Sequence, residues 1–420
     1  MLIEFRATNF RSIRDTQTLS MVAGSGAERL QTNTFNSGLA GIDRLVRSAV
    51  IYGANAAGKT NVLLALQFVQ NLVVNSATAT QQGAPIPHTP FKFAAETRRS
   101  PSEFEVTFSQ DNVRYEYGLH VGATQVHKEW LTAYPRGRPQ RLFERTLDKK
   151  LDTYGWHFSS YLKGNRSVCR DATRANALFL STAIQLNSSQ LLPVYEWFQK
   201  KLAVIVGSAQ LNPILTLRLL EQPGGKEKVL PLLRAADLGI SDLEITREPL
   251  ISGVPITGAA IIENAQKSEI PNIVKFTTFH PSSDSGERVS LDMADESIGT
   301  QVLFRSAGAW LNVLANGEVL LFDEIDTSLH PLLTRFLIGL FHSDSTNSKN
   351  AQLVFTTHDT SLLEADLFRR DQVWFVEKTT KGSSNLYPLS DFSTRKEEAF
   401  ERGYLKGRFG ALPIIGDIQS

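Results

Sequence analysis

Apolar positions change their period along the chain, and those changes mark its parts. Leu2, Phe5 and Phe10 give one apolar face and "TQTLSMVA" resumes the alternation, so residues 2–22 are expected as two short strands around a turn at "RSIRD". Residues 23–44 are rich in Gly, Ser and Asn and are expected as loop. "LVRSAVIY" is a short apolar run suited to a buried strand, and "NVLLALQFVQNLVV" is apolar on most sides, as a buried helix is. Residues 75–100 are Thr/Gln/Pro-rich and are expected as an irregular excursion. Between 102 and 147 the period becomes two, in "SEFEVTFSQ", "VRYEYGLHV", "QVHKEWLTAY" and "RLFERTL". That is the pattern of an antiparallel meander, with turns at "QDN" and "GAT". Residues 172–206 and 224–237 return to apolar spacings of three and four, while "ISDLEITREP" and "IVKFTTFHP" read as strands. The helix "SIGTQVLFRSAGAWLNVLAN" leads into the strand of "GEVLLFDEID", and the helix "SLHPLLTRFLIGLFHS" into "AQLVFTTHD". "DQVWFVEKT" and "NLYPLSDF" complete the set, without internal repeats or a heptad run.

Composition changes this picture little. The chain has 420 residues, 42% hydrophobic and 21% charged, which suits two or three soluble globular domains. Net charge is +1, so no global basic excess marks a nucleic-acid coat. A single cysteine, Cys169, allows no internal disulfide and fits a reducing cytosol. There is no signal-peptide core, and no apolar run approaches the ~18 residues that span a bilayer. The expectation is a cytoplasmic protein with no membrane partner.

Candidate chemistry begins with "IYGANAAGKTN". Gly53, Ala54, Asn55, Ala56, Ala57, Gly58, Lys59, Thr60 and Asn61 form a G-x-x-x-x-G-K-T loop between a strand and a helix. Its backbone N–H groups suit phosphates, Lys59 the β- and γ-phosphates, and the Thr60 hydroxyl Mg²⁺. "VLLFDEID" is an apolar strand ending in Asp323, where a carboxylate can hold Mg²⁺, with Glu324 next to it to orient or deprotonate a water. "LVFTTHD" ends a second such strand at His358, a candidate γ-phosphate sensor. "ESIGTQ" places Ser297 and Gly299 at the start of the helix that leads to Asp323. The residues "RGRPQR" (136–141) and "RTLDKK" (145–150), near Trp130, Tyr134 and Phe143, are either a nucleic-acid contact or basic hairpin tips that serve solubility. His88, His127 and His280 show no metal-site spacing.

Gly53 to Thr60, "ESIGT", "LLFDEID" and "TTHD", in that order, resemble the ABC-type ATPase heads of the SMC and RecF group, over roughly residues 1–75 and 275–380. The resemblance implies ATP and Mg²⁺ as cofactors and a head-to-tail pair that sandwiches two nucleotides. Ser297 and Gly299 would then act on the second copy's γ-phosphate, Asp326 would lie at the dimer interface, and His358 would be the switch histidine. Arg11 in the first turn is a candidate for a place near the nucleotide by resemblance to related ATPase heads alone. "NFRSIRD", "DLGISDLEI", "DEIDTSLHP" and "YLKGRFGALP" look more closely like the prokaryotic OLD/RloA-like ATPases of anti-phage and abortive-infection systems. These usually work with a nuclease, fused as a TOPRIM domain or separate. The chain after His358 is too short for such a domain, which needs about 100 residues. The SMC-type glutamine loop has no clear counterpart, and Gln67 is a poor one.

The expected fold is α/β, a P-loop NTPase of ABC-ATPase type with an antiparallel β lobe and a helical insertion. The expected division is a discontinuous head of 1–75 and 275–395, a β lobe of 76–170, a helical insertion of 171–274, and a tail of 396–420 read as a solvated helix or a docking tail. The expected function is an ATPase that dimerises around ATP and controls a separate effector, a nuclease or toxin, in defence. The alternative is a RecF/SMC-like DNA-repair ATPase, with nucleic acid as partner; a transporter motor and a pure scaffold fit the motifs less well.

Overall fold

Successive residues of the buried strands face opposite ways, and the two sets of side chains define the layers. The computed structural model describes residues 1–207, 211–236, 239–249, 261–263, 272–282, 287–364, 366–392 and 400–412. Its central sheet runs Leu202–Ile205, Val319–Phe322, Gln352–Thr356, Ser48–Tyr52, Val373–Lys378, Ser384–Pro388. The first five strands are parallel and the last is antiparallel. Ala49, Ile51, Leu321, Val354 and Trp374 join one core, with the helix Lys59–Asn75. Val50, Tyr52, Leu320, Phe322, Leu353 and Phe355 join the other, with the helices Ile298–Asn316 and Pro331–His342. Cover on both faces explains why these strands read as continuous apolar runs.

The expected meander is present and continues into the N-terminal strands. One seven-stranded antiparallel sheet runs Thr153–Phe158, Gln140–Asp148, Val126–Tyr134, Val113–Val121, Ser102–Gln110, Leu2–Thr8, Gln17–Ser20. Asp111 and Asn112 both take positive φ, 52° and 60°, as a two-residue primed hairpin turn requires. Phe104, Val106, Tyr117 and Leu131 pack with Leu63, Leu66 and Val69 of Lys59–Asn75, so that helix lies between the two sheets. This explains its apolar character on most sides.

Three local readings are corrected. Residues 23–44 contain a short helix, Leu30–Asn33, and the strand Thr34–Leu39, which pairs with Ile42–Val46. Phe35 and Leu45 of this hairpin bury themselves with Ile3, a small core hidden in a polar stretch. "LVRSAVIY" is not one strand: buried Arg47 breaks it, its guanidinium pairing with Asp344 and donating to the Phe341 and Asn347 carbonyls. Within 171–274, Phe179–Gln185, Leu192–Lys200, Ile214–Leu220 and Gly225–Ala236 are helices, but Leu202–Ile205 is the edge strand beside Val319–Phe322. "ISDLEITREP" contributes Asp242–Pro249, paired with Asn272–Pro281 in a small antiparallel sheet. Residues 237 and 238 of "DLGISDLEI", and 396–399 and 413–420 of the tail, lie outside the described residues.

Candidate nucleotide site

Parallel register carries the candidate residues to one edge of the central sheet. Ile51 pairs with Thr356, and Phe355 with Phe322, so Gly53, Thr357 and Asp323 all emerge at the C-terminal ends of their strands. In an open α/β sheet this edge is where ligands bind.

The glycine loop fits the backbone behind it. A Cβ on Gly53 would lie 2.3 Å from the Val376 carbonyl oxygen. Gly58 has φ +112°, and a Cβ there would lie 2.2 Å from Ser384 Oγ and 2.6 Å from Ser12 Oγ. These two glycines therefore serve close packing of the loop against Ser12 and the strands Val373–Lys378 and Ser384–Pro388, not only access for phosphate. Ser12 Oγ also accepts from Asn61 Nδ2 at 2.7 Å, so the Asn61 amide contacts the packing behind the loop. Ala56 takes φ +60°. Gly58 caps the 17-residue helix Lys59–Asn75 without a side-chain bond. A helix start of this kind leaves N–H groups and the positive end of the helix dipole for an anion.

Lys59 is 6% exposed and its ammonium donates to the Gly53 and Ala54 carbonyls at 2.9 and 3.3 Å. Burial holds its pKa below the ordinary value, while Glu324, Asp323 and Asp326 pull it back up. Asp323 is also 6% exposed. Its carboxylate accepts from Thr60 Oγ1 at 3.0 and 3.1 Å and from Thr356 Oγ1 at 2.7 Å. Thr356 Oγ1 in turn accepts from Glu324 N at 2.7 Å, and Glu324 takes φ +52°. The Glu324 side chain is half exposed, with Oε1 4.0 Å from His358 Nε2. His358 N donates to both Asp326 carboxylate oxygens at 3.3 and 3.4 Å. A cavity of about 310 Å³ opens beside Gly53, Ala54, Asn55 and His358.

The donor set fits a nucleotide with a hard divalent cation. Among the described residues the buried Lys59 ammonium hydrogen-bonds only to carbonyls of its own loop, and a buried charge of this kind favours an anionic partner. A threonine hydroxyl and a carboxylate in contact are oxygen ligands of the kind Mg²⁺ takes. Among the described residues no cluster of three His, Cys, Asp or Glu side chains offers a metal site, so Thr60 and Asp323 would leave most of the ion's coordination to phosphate and water.

The other expected residues lie apart. Ser297 is exposed and caps the helix Ile298–Asn316, its Oγ accepting from Thr300 N at 3.1 Å. A Cβ on Gly299 would lie 3.0 Å from the Ser328 carbonyl oxygen, so this helix start touches the loop that follows Glu324. Among the described residues no hydrogen bond links Ser297 to Gly53–Thr60. Glu296, just before it, is buried and accepts from His280 Nε2 at 2.8 Å, which gives His280 a structural partner. Arg11 takes φ +51°, and its guanidinium lies over the Phe10 ring.

The basic stretch is not one patch. Arg136 and Arg138 sit at the tip between Val126–Tyr134 and Gln140–Asp148, while Lys149 and Lys150 lie at the far end of the second strand. Arg145 is fully buried beside Glu129, 3.1 Å away, and Phe143 is in the core.

Sequence reasoning quoted Ser12, Thr356 and Tyr404 inside longer motifs and gave none of them a role of its own. Thr356 carried a signal, a hydroxyl inside an otherwise apolar strand. Tyr404 lines the cavity from the C-terminal segment, which nothing local in the sequence ties to the phosphate loop.

No helix of the described residues is long and apolar enough to cross a membrane. No curated protein matches the chain. Among solved structures, it is similar to an SMC head bound to the C-terminal winged-helix domain of ScpA (TM-score 0.40, 12% identity, 92% of this chain and 97% of that one). It is similar also to the SMC head domain from Thermotoga maritima (TM-score 0.40, 13% identity, 92% and 98%). A third is an SMC head with an extended coiled coil bound to the C-terminal domain of ScpA, from Pyrococcus furiosus (TM-score 0.37, 12% identity, 92% and 96%). Residues 48–168 and 235–364, more than half of the chain, match a family profile that spans the phosphate loop, Ser297, Asp323 and His358. The chain belongs to the family described as "AAA domain, putative AbiEii toxin, Type IV TA system".

Proposed function

We propose that this chain binds Mg-ATP and hydrolyses it in a head-to-tail pair, and that the pair controls a separate effector. The observation that carries the reading is the contact of Thr60 Oγ1 with the Asp323 carboxylate at 3.0–3.1 Å, flanked by buried Lys59 and exposed Glu324. Thr60 and Asp323 would hold the cation, which when bound neutralises charge on the phosphates. Gly53–Lys59 would bind the phosphate chain. Glu324 would orient the attacking water and take its proton, with His358 beside it reading the γ-phosphate.

Ser297 and Gly299 are exposed or partly so, and their only described contacts are to their own helix and to the Ser328 loop. This supports a role on a second copy, whose γ-phosphate they would cap. Asp326, which anchors the His358 backbone, would lie at that interface. ATP would then act as a switch on assembly. The family description names a putative toxin of a type IV toxin–antitoxin system, which supports a setting in anti-phage or abortive-infection defence. The separate effector, a nuclease such as a TOPRIM protein or a toxin, rests on the resemblance to OLD/RloA-like ATPases. The DNA-repair alternative would draw on the basic hairpin residues, which the fold divides between opposite strand ends.

The test is Glu324→Gln. It should bind ATP as tightly as wild type, lose turnover by roughly 100-fold or more, and accumulate ATP-dependent dimers in sizing chromatography with light scattering. Wild-type turnover in Glu324→Gln sinks the assignment.

A further inference from the structure

Phe400–Leu412 lies outside the family match and has no role in the mechanism above, yet it is built into the site. The helix Phe400–Leu405 buries Phe400 and Tyr404. A positive-φ turn at Gly407 and Gly410 then folds the chain back. Tyr404 stacks on Phe375 (5.3 Å, 17°), and Phe409 stacks on the same ring (5.7 Å, 21°). Glycine at 403 lets the Phe409 ring pack closely, since a Cβ would lie 2.7 Å from it. Phe375 belongs to the strand beside Ser48–Tyr52, so the stack fixes the segment against the phosphate-loop strand. The stretch expected as a solvated or docking tail thus buries Phe400, Gly403, Tyr404, Phe409 and Ala411 and leaves Arg402 and Leu405 to Arg408 exposed.

From there the segment grips the loop that carries His358. Glu401 N donates to the Leu363 carbonyl at 3.1 Å, and Thr360 Oγ1 donates to Glu401 Oε1 at 3.3 Å. Tyr52, 6.0 Å from Tyr404 between ring centres, donates its hydroxyl to the Asp359 carbonyl at 3.1 Å. Tyr404, Leu405 and Leu412 line the same cavity as His358, Asn55 and Gly53. His358 itself is partly exposed and has little else to fix it: its backbone N–H on Asp326 and a 4.0 Å approach to Glu324.

We propose that Phe400–Leu412 is a positioning element for His358, with Glu401 and Tyr404 as positioning residues that set the 357–363 loop against Glu324. The proposal rests on the ATPase reading above. Removing the brace leaves phosphate binding by Gly53–Thr60 intact and releases the imidazole that approaches Glu324, so turnover falls while ATP affinity holds.

The experiment compares Tyr404→Ala, Tyr404→Phe and Glu401→Ala with wild type. It reads kcat and KM for ATP hydrolysis, binding of a fluorescent ATP analogue, and thermal unfolding. Tyr404→Ala and Glu401→Ala are expected to lose kcat about tenfold or more while KM and analogue affinity stay within about twofold. Tyr404→Phe, which keeps the stack, is expected to restore the wild-type rate. If Tyr404→Ala does not fold, Glu401→Ala decides, because its side chain is only partly buried and its backbone bond to Leu363 survives. An unchanged kcat in the folded variants overturns the proposal, as does a parallel loss of analogue binding. A wild-type chain that binds the analogue without turnover refutes the ATPase reading as well, and so separates the two failures.

Discussion

The Thr356 hydroxyl is the most consequential small group at the site. It is fully buried, donates to Asp323 at 2.7 Å and accepts from Glu324 N at 2.7 Å. Thr356→Val keeps the shape and removes both bonds. A hydrogen bond to a carboxylate contributes about 1.5–3 kcal/mol and a neutral one about 1 kcal/mol, so the variant should lose roughly 2–4 kcal/mol. That is a large share of a typical stability of about 5–15 kcal/mol. Thr356→Ser keeps the hydroxyl and gives up one buried methyl group, at a cost of about 1 kcal/mol. The loss has a kinetic side too. Glu324 sits at φ +52°, uncommon for a residue with a side chain, and the bond from its N–H helps to hold it there. Guanidinium unfolding monitored by tryptophan fluorescence measures the first effect, and ATP turnover against analogue binding the second. Thr356→Val within about 0.5 kcal/mol of wild type, with full turnover, would refute the claim that this hydroxyl sets the Asp323 carboxylate and the Glu324 backbone.

Other predictions follow from buried charge. His342 is held neutral by burial, aided by Arg47 and Arg29, with its pKa lowered from 6.5 to about 3, and its Nε2 lies 2.8 Å from Ser48 Oγ. The unfolded chain binds the extra proton first, so stability is full above pH 6.5 and falls as pH drops toward 3. The slope is about 1.4 kcal/mol per pH unit, and unfolding of His342→Gln between pH 7 and 4 should show a correspondingly shallower dependence. Glu129 and Arg145 are both fully buried, and the carboxylate also accepts from Phe179 N and Leu180 N at 2.7 and 3.0 Å. Glu129→Gln should cost about 3–5 kcal/mol by leaving Arg145 uncompensated. Glu129→Gln with Arg145→Met should cost less than the single change, and a strictly additive double mutant would contradict this. Gly58→Ala should destabilise the fold in thermal unfolding even without nucleotide, because its Cβ meets Ser384 and Ser12; an unchanged midpoint would show that this glycine serves ligand access alone.

Much of this site was legible in the chain because its residues sit where buried strands end. A short apolar run such as "VLLF", bounded by Gly317 and an acidic turn, suits a covered strand, and its first polar residue, Asp323, then surfaces at the ligand edge. The same logic placed Gly53 and His358. It failed where side chains answer to distant partners. Phe35 looked like a loop residue because the core it joins is completed by Ile3 and Leu45. Arg145 looked like part of a basic surface because nothing local shows that Glu129 lies on the neighbouring strand. Arg47 interrupts an apolar run for the sake of Asp344, almost three hundred positions away. Ser12, Thr356 and Tyr404 belong with these cases, since long-range packing alone brings them to the phosphate loop.

The central claim is that each nucleotide site is completed by a second copy of the chain. Lys59→Ala removes the phosphate-loop cation, and Ser297→Arg blocks the exposed helix start; each variant alone should be inactive. Mixed at equal concentration with ATP and Mg²⁺, half of the dimers carry one of each and keep one intact site of two. About a quarter of the wild-type rate should therefore return. A mixture no more active than its two components would contradict the account.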